Sequence, residues 1–167
     1  MGLFDIFKKK EDRSAPPQLT ADEVLEQGKA YESQGDMVAA FQTYLQAAEM
    51  GNTEAMHRVA QAYLFMNKGA PFDLKKSAEW FEKAAKAGRV SSMLLLSQCY
   101  LAGAGVPESD EIAKQWMERA IEGAKQTGDT KTIEIATKRL NDIDMTKKTM
   151  QAIYTTAVQM GGIPPKN

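Results

Sequence analysis

Cysteine and histidine are almost missing from this chain, with one of each, Cys99 and His57, in 167 residues. A single cysteine excludes an internal disulfide and a cysteine-based zinc site. A single histidine removes paired-histidine metal sites and leaves one candidate general base. No uninterrupted apolar run approaches the roughly 18 residues that a membrane-spanning helix needs. The net charge is close to nil, −1 from 21 basic and 22 acidic side chains. That balance argues against a general polyanion binder, because phosphate contacts require a concentrated basic face. Six prolines fall outside the helical segments or at their junctions, so they punctuate helices and do not break them. The start, MGLFDIFKKK, puts its charges after a short apolar run, the reverse of a secretory signal. Ile6 also stands where a myristoylation pattern wants Ser or Thr. A cytoplasmic setting is expected, with no cofactor.

What is present is repetition. The stretch DLKKSAEWFEKAAKAG, from Asp73 to Gly88, returns from Ser109 as SDEIAKQWMERAIEGA, so that Trp80 and Ala84 become Trp116 and Ala120, 36 positions on. A fainter copy lies 37 positions upstream of the first, where Asp36, Ala40, Tyr44, Ala47, Ala48 and Gly51 stand for Asp73, Ser77, Phe81, Ala84, Ala85 and Gly88. A fixed period of this length predicts stacked units, each unable to bury its own apolar face alone. Small alanines let paired helices approach closely, and the recurring Tyr, Trp and Phe fill the gap to the next pair.

Taken in order, residues 1–19 read as a tail. Leu3, Phe4, Ile6 and Phe7 followed by Lys8, Lys9 and Lys10 could form a short amphipathic turn against an anionic membrane. The preferred alternative is that this segment folds back or stays disordered, since three lysines on one short helix anchor weakly. Residues 20–160 form the repeat domain, with helix pairs expected over about 20–51, 52–88, 89–126 and 129–160, and residues 161–167 form a second tail. Thr20 and Glu23 make a capping box, with Leu19 and Val24 as its hydrophobic staple. The last pair, 129–142 and 145–160, is degraded and is expected to close the open end of the stack.

These residues resemble Sel1-like repeats, relatives of the tetratricopeptide repeat. Tyr100, Gly103, Gly105, Val106, Ala113, Trp116, Arg119 and Ala120 match one full unit, and Tyr63, Asp73, Trp80, Lys83, Ala84, Ala85 and Gly88 match the one before. Met66, Asn67, Lys68 and Gly69 replace the first Gly-x-Gly-Val, so that loop is expected to take another shape; Ser97 stands where the pattern wants Gly. The resemblance implies an all-α, right-handed solenoid of stacked antiparallel helix pairs, about eight helices in all, used as a protein-interaction adaptor. It carries over no catalytic residue.

Chemistry of other kinds finds little support. His57 is expected on the helix face away from Val59 and Tyr63, as a surface histidine with no nucleophile or carboxylate recurring nearby. Gly103-Ala104-Gly105 lacks the Gly-Lys-Ser/Thr ending of a phosphate loop. Trp80 and Trp116 repeat at one site of the unit and so read as packing residues. In relatives of this fold the first helix of each pair lines the concave side. The non-core positions there are Lys29 and Glu32, then His57, Gln61, Leu64 and Phe65, then Leu94, Gln98 and Leu101. An apolar centre with polar flanks is the profile of a groove for a peptide or partner helix. The competing reading is that Phe65 and Leu101 pack against neighbouring units. The leading expectation is a non-enzymatic adaptor, bacterial in style, with a protein or peptide partner and no nucleic acid. The alternatives are an immunity-type protein that caps a toxin or effector enzyme, and an adaptor recruited to a membrane by residues 2–10.

Overall fold

The computed structural model describes residues 19–65 and 69–159. Seven α-helices and no strand occur among them: α1 Ala21–Ser33, α2 Met37–Glu49, α3 Thr53–Leu64, α4 Leu74–Lys86, α5 Val90–Ala102, α6 Asp110–Thr127 and α7 Thr130–Gln159. Each helix packs chiefly on its neighbours in sequence, α1 on α2, α2 on α3, and so on to α7. The result is the all-α stack of hairpins that the period requires.

Local chemistry sets the helix starts. Glu23 N–H donates to Thr20 Oγ1 at 3.3 Å and Thr20 N–H donates to Glu23 Oε2 at 2.7 Å, the expected capping box. Asp36, Asn52, Asp73 and Ser109 cap α2, α3, α4 and α6 with their side chains. Gly51 and Gly88 end α2 and α4 at φ +98° and +92°, a backbone conformation open to glycine at little cost.

One tether recurs in every hairpin. The N–H of Asp36, Asp73 and Ser109 donates to the carbonyl of Tyr31, Tyr63 and Tyr100, at 3.0, 3.0 and 2.8 Å. Capping residue and tyrosine therefore meet in each unit although the first connection is shorter than the other two. Gly69 and Gly105 show why the longer connections tolerate little change. Both have positive φ, +76° and +77°, and a Cβ on either would run into the carbonyl at the start of the preceding unit's second helix, Met37 for Gly69 and Leu74 for Gly105. Gly69 thus does for the second unit what Gly105 does for the third, and the different shape expected from the altered motif does not extend to this glycine. Met66, Asn67 and Lys68 lie outside the described residues.

The interior is continuous along the stack. Val24, Leu25, Tyr44, Ala47, Ala55, Val59 and Tyr63 form one cluster across the first two units. Phe81, Met93, Leu96, Cys99 and Trp116 form another across the second and third units, and Trp80 packs against both. The tryptophans are packing residues, as expected, and each also carries a cation on its ring. Lys83 Nζ lies 3.8 Å from the Trp80 ring centre and Arg119 Cζ lies 4.7 Å from that of Trp116.

The end of the stack departs from expectation. In place of the expected pair, Thr130–Gln159 form one helix of 30 residues, α7. Neither Gly nor Pro interrupts it, and Asn141 and Asp142 are exposed within it. Ala136 is fully buried, and Ile133, Leu140 and Ile143 are half-buried on the same side. Lys114 with Asp144, and Lys147 with Asp110 at 3.6 Å, pair α7 antiparallel to α6. Residues 148–159 therefore run past the start of α6 by about 18 Å of helix.

Candidate functional site

The first helices α1, α3 and α5 carry equivalent positions in register, so their side chains form rows along the stack. One row is Lys29, Gln61 and Gln98; the next is Glu32, Leu64 and Leu101; a third is Leu25, His57 and Leu94. These rows hold most of the residues singled out from sequence. They differ sharply in what they leave available.

At the first unit the row is polar and internally satisfied. Tyr44 Oη donates to Glu32 Oε2 at 2.6 Å, and Arg58 Nη1 donates to the same oxygen at 2.7 Å. Arg58 also donates from Nε and Nη2 to Glu54 Oε1 at 3.1 and 3.0 Å, and its guanidinium lies over the Tyr44 ring. Lys29 reaches Glu26 at 2.8 Å and Glu54 at 3.5 Å. Burial pushes the Tyr44 hydroxyl well above the ordinary phenol range, and its bond to Glu32 adds to this. Burial also pushes the Glu54 carboxyl up, but the Arg58 hydrogen bonds and the Lys29 and Arg58 charges outweigh it and leave Glu54 below the usual carboxylate range. Glu32 and Lys29 are thus members of a network joining units one and two. Arg58, Tyr44 and Glu54 complete it, and no motif in the sequence marks them as partners.

His57 is not at the surface. It is 8% exposed, its Nδ1 lies 2.8 Å from Ser92 Oγ on α5, and its ring meets Phe81 edge-on at 5.6 Å. The expectation of partial exposure fails because α3 is buried on two faces. One carries Val59 and Tyr63 into the interior shared with the first unit, and the other, with His57, meets Phe81 of α4 and Ser92 of α5. Cys99 is buried, and that burial raises its thiol pKa, so it behaves as the small hydrophobe expected.

The middle of the row remains open. Phe65 is 49% exposed at the end of α3. Gln61, Leu64, Leu94, Gln98 and Leu101 are half-buried; Leu64 and Leu94 also pack against the second interior cluster. Leu64 and Leu94 are therefore partly enclosed and partly accessible, whereas Phe65 is largely exposed. Between α3, α4 and α5, Leu64 and Gln98 of these rows line a half-open cavity of about 190 Å³ together with Phe81, Leu95, Cys99, Ala102 and Ala104. A larger depression of about 640 Å³ lies beside Ile133, Thr137, Lys138 and Asn141 of α7. One helix supplies all its walls, so it offers nothing to grip a ligand from two sides.

The candidate membrane contacts Leu3, Phe4, Ile6, Phe7, Lys8, Lys9 and Lys10 lie outside the described residues. No helix among the described residues is long and apolar enough to cross a membrane. No cluster of three or more His, Cys, Asp or Glu side chains suited to a metal ion occurs among them.

Stacked hairpins with a shared interior and a row of first helices define a helical-repeat solenoid. Residues 21–52, 53–88 and 90–124 each match the Sel1 repeat, and the chain belongs to that family. It is 36% identical over 78 residues to the ERAD-associated E3 ubiquitin-protein ligase component HRD3A of Arabidopsis thaliana, a match covering 47% of this chain and 12% of that protein. It is 30% identical over 86 residues to chitin synthase regulatory factor 4 of Schizosaccharomyces pombe, covering 51% of this chain and 14% of that protein. The chain thus spans a small fraction of the length of these curated relatives. Among solved structures it resembles a Sel1 repeat protein from Oxalobacter formigenes, with a TM-score of 0.58 and 23% identity over 62% of this chain and 44% of that one. It also resembles c5321, a protective antigen of uropathogenic Escherichia coli with the same fold, with a TM-score of 0.61 and 22% identity over 88% of this chain and 33% of that one. At these identities the likeness establishes the fold.

Proposed function

We propose that this protein is a non-catalytic adaptor that holds a peptide or partner helix along the row formed by α1, α3 and α5. The observation that carries the reading is the change in character along that row. Its first unit is closed by the Arg58 network, whereas Gln61, Leu64, Phe65, Leu94, Gln98 and Leu101 leave apolar surface flanked by amide side chains. A partner buries the apolar part and bonds to the amides, the usual composition of a specific protein interface. The enclosure of His57 favours binding over proton transfer, because a catalytic base has to reach its substrate. The named relatives are a ligase component and a regulatory factor, roles in keeping with an adaptor. A cytoplasmic setting suits the single buried thiol.

The test is partner recovery by pull-down with Phe65→Ala and Gln61→Ala, both at positions that leave the interior intact. Loss of recovery is expected in each. Unchanged recovery in both would move the interface elsewhere.

A further inference from the structure

The cavity beside Leu64 has a polar feature on its rim that the apolar walls do not explain. The Gln98 amide meets the guanidinium of Arg139 on α7, and hydrogen-bonding sense assigns the amide oxygen to that side, where Nη1 and Nη2 donate to it, the latter at 3.1 Å. Arg139 is half-buried, and no carboxylate pairs with it among the described residues. A neutral amide is a poorer acceptor for a guanidinium than a carboxylate is. The cavity, at about 190 Å³, is larger than an apolar cavity of about 150 Å³ that takes up benzene, so one leucine-sized side chain fits.

We infer that this corner is a subsite for an acidic partner segment, in which a large apolar residue enters the cavity and an adjoining Asp or Glu side chain pairs with Arg139. The inference rests on the adaptor reading and deepens it. Charge complementarity names the occupant: Gln98 lines the apolar cavity and meets Arg139, a cation that no carboxylate pairs among the described residues, and a segment with an apolar side chain next to a carboxylate satisfies both. When the carboxylate takes the guanidinium, Gln98 is released, and its amide is free to bond to the backbone of the incoming segment. Phe65 at the end of α3 is exposed and Leu101 on α5 is half-buried, so the segment has further apolar surface to cover.

The experiment uses the full chain, isotope-labelled for NMR, titrated with three small probes. Ac-Leu-Asp-NH2 carries both features, Ac-Leu-Asn-NH2 is its neutral isostere, and Ac-Leu-OH presents a terminal carboxylate. Saturable shifts are expected at the Gln98 side-chain amide, the Arg139 Nε–H and the Ala104 amide. Ac-Leu-Asp-NH2 should bind about ten-fold more tightly than Ac-Leu-Asn-NH2. Arg139→Gln should remove that difference. Ala102→Phe, at an exposed position on the cavity wall, should abolish binding of both. Equal binding of the acid and its isostere, with Ala102→Phe still blocking both, would overturn the acidic subsite while leaving the groove of the adaptor reading in place. Preference for Ac-Leu-OH would assign the corner to a chain terminus and overturn the internal segment. Absence of saturable shifts at these groups would overturn the subsite altogether.

Discussion

His57 Nδ1 and Ser92 Oγ, 35 residues apart in sequence, lie 2.8 Å from each other across the boundary between the second and third units. Both are buried, and Ser92 is fully enclosed. Losing either partner removes this buried contact, at a cost of about 1 kcal/mol. Ser92→Ala and His57→Leu should each destabilise the chain in urea denaturation. The double variant should fall short of the sum by about 1 kcal/mol. Strict additivity would mean that the contact contributes nothing to holding the units together.

Gly28 meets the ring of Tyr44, whose Cδ1 and Cε1 lie where an added Cβ would be 2.6 Å from each. Gly28→Ala should therefore destabilise by about 1–3 kcal/mol through overpacking. Gly69→Ala and Gly105→Ala combine positive φ with a collision against backbone, which cannot swing aside as a ring can. Both should cost more than Gly28→Ala when melting temperatures are compared on one preparation.

The residues show where sequence reading stops. The period of 36 or 37, the Tyr and Trp positions and the caps were legible because each obeys a local rule, one face per helix and one cap per start. The burial of His57 is not legible because a helix in a stack has two buried faces, and the spacing of Val59 and Tyr63 reveals only one of them. The Arg58 network and the meeting of Gln98 with Arg139 join residues from different units, and nothing local marks such pairs. The single long α7 is not legible because a terminal segment lacks the repeated pattern that aligns the other helices.

The carboxyl of Glu54 sits below its ordinary value of 4.5 in the folded chain, once its Arg58 hydrogen bonds and cationic neighbours overcome burial. A lowered folded pKa contributes stability that is present above pH 4.5 and is lost as the pH falls through the lower folded value. Arg58→Met should flatten stability against pH in that acid window and cost about 1 kcal/mol at neutral pH, a modest figure because these side chains are partly solvated. An acid limb identical to that of the unaltered chain would remove Arg58 as the dominant partner of Glu54.

Two truncations separate the halves of α7. Ending the chain after Lys147 removes the part that runs past α6, where Met150 and Ile153 are largely exposed, and should shift the melting temperature by a few degrees at most. Ending it at Asp129 uncovers the face of α6 on which Ala136 and Ile143 pack, and should produce aggregation or a loss of several kcal/mol. Differential scanning calorimetry with light scattering reads both outcomes. Equal behaviour of the two chains would mean that residues 130–147 do not close the stack.

Whether the row of first helices is the working face is tested most directly by amide hydrogen exchange, measured with and without a partner recovered by pull-down. The expected result is slowed exchange across α3 and α5, over residues 53–65 and 90–102, with α2, α4 and α6 unchanged. Protection confined to α2, α4 and α6 would contradict the account.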